Sequence, residues 1–301
     1  MITADQRAAY HRDGFIVVPD LLSTDELAEI RAVIAALVAG SAEVETHTDV
    51  YDLEPGHSRI APQVRRIKQP HKVHPAFDRI VRKREVLDVV AALIGPNLRL
   101  QGSKLNMKAA HYGSPVEWHQ DWAFYPHTND DILAIGVMLD DTDLENGPLM
   151  VVPGSHRGPV WNHHGDDGRF CGLVDPAEIE SEIARAVPLT GRAGSMSFHH
   201  VRALHGSALN TSDRDRNLLL YEIMAADAWP LLGVKDFDDF NRRLLAGVQT
   251  IEPRVTTVPV RMPLPPAERQ GSIYENQSAA KRSYFQKANR VERDSPVKAN
   301  V

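Results

Sequence analysis

His119 and Asp121 stand one residue apart in the segment Trp118-His119-Gln120-Asp121-Trp122. In an extended strand, residues two apart point to the same face, so this pair can reach one metal ion. A third donor has to come from elsewhere in the chain. The stretch Phe198-His199-His200-Val201-Arg202-Ala203-Leu204-His205-Gly206-Ser207 offers several imidazoles. Two histidines and one carboxylate on one face leave three positions of a metal open. That donor set suits a non-haem iron(II) centre, whereas three histidines or a set of thiolates points to zinc. Further on, Arg216 opens the run Asn217-Leu218-Leu219-Leu220-Tyr221-Glu222. A planar guanidinium there can grip a dicarboxylic acid through two parallel hydrogen bonds, which a lysine does less specifically.

Such donors need rigid elements to hold them. From residue 98 onward the chain reads as short strands over 98–108, 132–140, 148–153, 194–199 and 216–227, separated by turns such as Glu145-Asn146-Gly147-Pro148 and Pro153-Gly154-Ser155. Many short strands of this kind suggest a sandwich or jelly roll. The fold expected is mainly β with flanking helices (α+β), a double-stranded β-helix core with helices buttressing one sheet. Upstream, residues 4–12 read as a helix and Gly14-Phe15-Ile16-Val17-Val18-Pro19 as a strand. Ser23 and Glu26 form a capping box for a helix carrying Leu27, Ile30, Val33, Ile34 and Leu37 at helical spacing, ended by Gly40. Residues 41–64 read as a loop, 85–94 as a helix stopped by Gly95-Pro96-Asn97, and 236–245 as one more helix. The polar tail 286–301 carries no regular pattern. The simplest organisation is a single domain over 1–301: a helical part to about 97, a jelly-roll core over about 98–228, and an extension beyond.

Composition narrows the classes. Of 301 residues, 43% are hydrophobic and 25% charged, a globular balance, and the net charge of −6 comes without a basic stripe, which argues against a nucleic-acid partner. The short basic stretch Arg65, Arg66, Lys68, Lys72 reads as a solvated face. One cysteine, Cys171, can form no internal disulfide and no thiolate cluster, in keeping with a reducing compartment. No apolar run approaches the roughly 20 residues of a membrane span, and the first residues lack a signal-peptide pattern, so a cytoplasmic protein with a small-molecule substrate is expected.

With these residues in view, the chain resembles the phytanoyl-CoA dioxygenase family of iron(II)- and 2-oxoglutarate-dependent oxygenases over about residues 10–225. The resemblance rests on Asp13-Gly14-Phe15, His119-Gln120-Asp121, Asn146-Gly147-Pro148-Leu149, Pro153-Gly154-Ser155-His156, and His205-Gly206-Ser207 through Asn210 to Arg216, all in the family's order and spacing. It implies that His119, Asp121 and His205 are the iron ligands and that Arg216 holds the distal carboxylate of 2-oxoglutarate, with O2 as the other cosubstrate. It also implies that Ser207, Gln120 and Lys104 lie near the cosubstrate. Val137 replaces an aromatic residue of the best-known members, which is expected to change the pocket wall. Relatives that halogenate have a small residue in place of the ligand carboxylate, so Asp121 disfavours halogenation. Hydroxylation is the expected reaction. Desaturation, epimerisation and ring closure share the same site, and a non-catalytic jelly-roll binding protein or a zinc hydrolase are the rivals of other classes.

The remaining polar and aromatic residues have plainer readings. His199 and His200 read as structural, since the odd offset of His200 from His205 places it on the opposite strand face. Asn146 and Gly147 read as a hairpin turn. Tyr112, Phe124 and Tyr125 read as core aromatics flanking the metal strand. Trp122, Gln101 and His156 are the side chains read as facing a substrate. His163 and His164 lie in a long segment of the kind that forms lids, where solvation is their default.

Overall fold

The computed structural model describes residues 2–111, 113–267, 271–278 and 280–285, so Tyr112 and the tail 286–301 lie outside the described residues. In chain order the strands are β1 (Phe15–Val18), β2 (Tyr51–Leu53), β3 (Val64–Lys68), β4 (Leu98–Lys108), β5 (Val116–His119), β6 (Ile132–Met138), β7 (Leu149–Val151), β8 (Val187–Leu189), β9 (Met196–His200), β10 (His205–Ser207), β11 (Arg216–Ala225) and β12 (Leu244–Ala246). The helices are α1 (Ala4–Asp13), α2 (Thr24–Gly40), α3 (Pro70–Val73), α4 (Pro75–Val81), α5 (Arg84–Ile94), α6 (Glu180–Ile183), α7 (Phe237–Arg242) and α8 (Ile273–Ser278). None of these helices is long and apolar enough to cross a membrane.

Two antiparallel sheets face each other as a double-stranded β-helix. The larger runs β1-β9-β6-β11-β4-β3-β2, with β12 also pairing β4, and the smaller runs β5-β10-β7-β8. Strand alternation decides which side chains meet the site. On β11, Leu219, Tyr221 and Ile223 pack outward in one core with Leu27, Ile30 and Ile34 of α2, Phe77 and Ile80 of α4, and Val86, Val89 and Val90 of α5. The intervening Arg216, Leu218 and Leu220 face the smaller sheet and line the interior cleft. On β4 the same rule turns Lys104, Asn106 and Lys108 inward while Leu105 joins the helix-side core.

Local signals explain most boundaries. Ser23 accepts from the Glu26 amide at 3.2 Å, and the Glu26 carboxylate accepts from the Ser23 amide at 2.8 Å, closing the capping box that starts α2. Gly14 ends α1 at φ +85°, and a Cβ there would collide with the His156 ring. The Asp13 carbonyl accepts from the Gly154 amide at 2.8 Å. The Asp-Gly-Phe and Pro-Gly-Ser-His motifs are therefore two sides of one structural clasp.

Four expectations need correction. The segment 41–64 contains β2, which closes the edge of β3 and is too short to show a strand period. The stretch 236–245 divides into α7 and β12: β3 pairs only with Lys104–Asn106 of β4, leaving the earlier part of that edge open to Leu244 and Ala246. Arg66 is buried rather than solvated, because β3 is an inner strand of the sheet. Val137 packs on the helix side of β6 with Ile135 and Leu133, so it walls the outer core and not the cleft.

Candidate active site

The cleft between the sheets is lined by His119, Asp121 and His205, by the cations Arg66, Lys104, Lys108 and Arg216, and by His199, Asn106 and Ser207. Val116, Leu149, Leu218, Leu220 and Ile273 close it with apolar walls. His119 and His205 are register partners on β5 and β10, and Asp121 follows at the short 3-10 turn Asp121–Ala123. One donor atom from each of the three residues falls within 4.8 Å of the others. His119 Nε2 lies 3.6 Å from Asp121 Oδ1, and the two imidazole rings are 4.1 Å apart between centroids.

The tautomers are fixed by the backbone. His119 Nδ1 donates to the Glu117 carbonyl at 2.7 Å and His205 Nδ1 to the Ala203 carbonyl at 2.9 Å. Both Nε2 lone pairs are thereby left for the centre, as in metal-binding histidines whose other nitrogen is held by an acceptor. Burial, and then the neighbouring His119, push His205 well below the usual imidazole range. For Asp121, burial raises the pKa, but the neighbouring Lys104 ammonium outweighs it and holds the carboxylate well below its usual range. The Tyr125 hydroxyl is also near Asp121; burial, and then the Asp121 charge, push the Tyr125 pKa well above the usual range. Two imidazoles and one carboxylate converging in this buried cleft fit an iron(II) ion.

Arg216 is buried at the far end of the cleft, where its Nη2 donates to the Gly147 carbonyl and its Nε lies 3.4 Å from the Asn146 carbonyl. Burial pushes its pKa down to about 10. Asn146 and Gly147 thus aim this arginine as well as forming a turn. Asn210 donates to the Lys108 and Arg214 carbonyls at 3.1 and 2.6 Å and shapes the turn that leads into β11. Ser207 lines the cleft, as does Lys104, whose ammonium pairs with Glu222 at 2.9 Å.

The other expected residues sit elsewhere. Gln120 donates to the Pro159 and Arg202 carbonyls at 3.1 and 2.8 Å and accepts from the Trp161 amide at 2.9 Å, so its amide holds a loop. That loop is tied again by His163 Nε2, which accepts from the Gln120 amide at 2.9 Å, making His163 buried rather than solvated. Trp122 packs with Ile132, Val160 and Val201 and donates to the Pro259 carbonyl at 2.9 Å. His156 lies against His11 and His200, and Gln101 lies at a bulge in the β4–β11 ladder; neither lines the cleft.

Sequence reasoning missed His199 and Arg66. His199 is fully buried, with Nε2 3.9 Å from Asp121 Oδ2 and its ring 4.7 Å from that of His205. Burial pushes its pKa down to about 4. Strand parity counted from His205 turns His200, at an odd offset, away from the cleft, where it lies against Tyr10 and His156, whereas the even offset of His199 places it on the cleft side. Counted from Phe198, which faces the outer core, the same rule puts His199 inward.

The family model for phytanoyl-CoA dioxygenase matches residues 10–218. A probable alpha-ketoglutarate-dependent hypophosphite dioxygenase of Stutzerimonas stutzeri is 36% identical over 94% of this chain and 99% of its own length. An L-proline trans-4-hydroxylase of Streptomyces griseoviridis is 32% identical over 72% of this chain and 84% of its own. Among solved structures, EctD from S. alaskensis with 2-oxoglutarate and 5-hydroxyectoine superposes with a TM-score of 0.65 at 27% identity, covering 87% of this chain and 89% of that one.

Proposed function

Since the chain belongs to the phytanoyl-CoA dioxygenase family, we propose that His119, Asp121 and His205 hold its catalytic iron and that Arg216 takes the distal carboxylate of 2-oxoglutarate. The protein is an iron(II)- and 2-oxoglutarate-dependent dioxygenase that hydroxylates a small molecule. The observation that carries the assignment of residues is the convergence of two imidazole nitrogens and one carboxylate oxygen within 4.8 Å.

When bound, iron and 2-oxoglutarate supply the oxidising chemistry: one O2 and one 2-oxoglutarate give succinate, CO2 and one oxygen atom for the substrate. The chain's own residues position and exclude. The carbonyls of Glu117 and Ala203 hold the two imidazoles in the tautomer that faces the centre. Lys104 keeps Asp121 ionised. The carbonyls of Asn146 and Gly147 fix the Arg216 fork, and Leu149, Leu218, Leu220 and Ile273 keep bulk water from the space between them. Ser207 stands beside that space and we read it as a neighbour of the cosubstrate. Gln120 we read as an anchor of the loop that covers the site.

The first substrates to try are hypophosphite, L-proline and ectoine, which the names of the relatives supply. We place the protein in the cytoplasm, supported by a single, buried cysteine, Cys171. The test of the reading is oxygen-dependent succinate formation from 2-oxoglutarate with added iron(II), with zinc as the control. Equal turnover with zinc, or none with iron, overturns it.

A further inference from the structure

Arg66 is the cation in the cleft that the reading above leaves without a task. It sits on β3 opposite Asn106 of β4, between Lys104 and Lys108 of the neighbouring strand. Its Nε donates to Asn106 Oδ1 at 2.9 Å, which fixes the guanidinium plane, and the ring of Tyr274 lies 5.0 Å from it. Its Nη2 is buried and has no hydrogen-bond partner among the described residues, and no carboxylate forms an ion pair with it there. A buried guanidinium is costly unless something accepts from it. The structure keeps this one against the cleft, where a guest can do so.

Charge matching singles it out from the other cations. A divalent metal is balanced by Asp121 and the near carboxylate of 2-oxoglutarate, and Arg216 by the far one. Lys104 has Glu222 at 2.9 Å. Lys108 donates to the carbonyls of Ser207 and Ala208, has Glu54 within electrostatic reach, and is pushed well below the usual lysine range by burial and by Arg216. Arg66 is also set apart from Arg216. Arg216 pairs in register with Lys108, and β3 lies on the other side of β4, so the two arginines are two strands and two residue steps apart. At roughly 4.8 Å per strand and about 3.4 Å per residue their Cα atoms are about 12 Å apart.

We propose that Arg66 is a substrate-binding residue and that the substrate is a compact anion, whose negative group accepts from the free end of the Arg66 guanidinium. This rests on the iron and 2-oxoglutarate reading and names the substrate class of the same site. The size limit comes from Leu149, Leu218, Leu220, Val116 and Ile273, which crowd the space between the triad and the cations. The chemistry required is an oxyanion or carboxylate on a small body, since a planar fork matches two oxygens.

The test uses the full chain as its anaerobic iron(II)–2-oxoglutarate complex, read by the metal-to-ligand charge-transfer band. Hypophosphite, L-proline and neutral acetamide are titrated in turn. At least one of hypophosphite, an anion, and L-proline, a zwitterion that presents a carboxylate, is expected to perturb the band saturably, and acetamide is not. Hypophosphite alone indicates a free oxyanion; L-proline alone indicates a carboxylate on a larger body. Arg66→Gln is expected to weaken the anion by about 10- to 100-fold, on the order of a lost charge-assisted pair, with 2-oxoglutarate affinity unchanged. Arg66→Lys recovers part of the loss. Unchanged iron and 2-oxoglutarate binding in both variants shows that they are folded. The proposal is overturned if no anion perturbs the wild-type band, if acetamide does so equally, if Arg66→Gln binds the anion normally, or if that variant loses 2-oxoglutarate instead. Failure of the band to form in wild type overturns the cosubstrate reading itself, and this proposal with it.

Discussion

His119 and His205 face each other as register partners across β5 and β10, with ring centroids 4.1 Å apart and each Nδ1 tied to a carbonyl two residues earlier in its own chain segment. The backbone ladder of the smaller sheet therefore sets the spacing of the two imidazole donors, and loop conformation has no part in it.

Loss of either imidazole is expected to empty the centre. His205→Ala should lower oxygen-dependent succinate formation by more than about 100-fold, beyond the roughly 10- to 100-fold typical of a lost outer partner. Iron retained after anaerobic gel filtration, measured by atomic emission, should fall with it while circular dichroism stays native. Iron content and turnover equal to wild type in this variant would remove His205 from the ligand set.

Arg216 is expected to act on cosubstrate and not on metal. A bidentate charge-assisted pair in this buried position contributes on the order of 2–5 kcal/mol by truncation, so Arg216→Ala should weaken 2-oxoglutarate by roughly 30-fold to several thousand-fold. Iron affinity should be little changed, and Arg216→Lys should recover only part because a point charge replaces a fork. Titration of the anaerobic iron complex checks this. Unaltered 2-oxoglutarate affinity in Arg216→Ala would pass the carboxylate to another basic residue such as Lys104.

Gln120 separates two roles that sequence position alone cannot. Its amide satisfies three backbone groups, those of Pro159, Trp161 and Arg202. Gln120→Leu leaves these groups unpaired and should cost about 1–3 kcal/mol or more of stability, seen as a lower midpoint in urea. Its 2-oxoglutarate dissociation constant should stay within about twofold of wild type. A normal urea midpoint with weakened cosubstrate would reverse that assignment.

Acid stability should report buried histidines away from the centre. His127 is fully buried, its Nδ1 donates to the Tyr125 carbonyl at 2.7 Å, and burial pushes its pKa down to about 4 from 6.5. The unfolded chain binds this proton more readily than the folded one, so stability is full above about pH 6.5 and is lost as pH falls toward 4. By pH 4 the loss from this group is on the order of 3 kcal/mol. Urea unfolding at stepped pH should show a shallower decline for His127→Gln than for wild type. Parallel declines would place the acid sensitivity in other groups.

What the sequence by itself determined is local. The i, i+2 spacing of His119 and Asp121, the Ser23–Glu26 capping box, and the alternation along β4 and β11 all follow from backbone geometry within a few residues. The family resemblance carried the rest of the donor set, because His205 is joined to His119 only through the pairing of two short strands. Tertiary structure alone decided which face of each strand became the inside. Alternation says that neighbours point opposite ways, but α2, α4 and α5 covering one side of the larger sheet made Val137 an outer-core residue and left His199 in the cleft. Arg66 looked like part of a solvated basic run until β2 closed the edge beyond it and made β3 an interior strand. A strand's period is a property of its own backbone, whereas burial depends on which elements arrive from far along the chain to cover it.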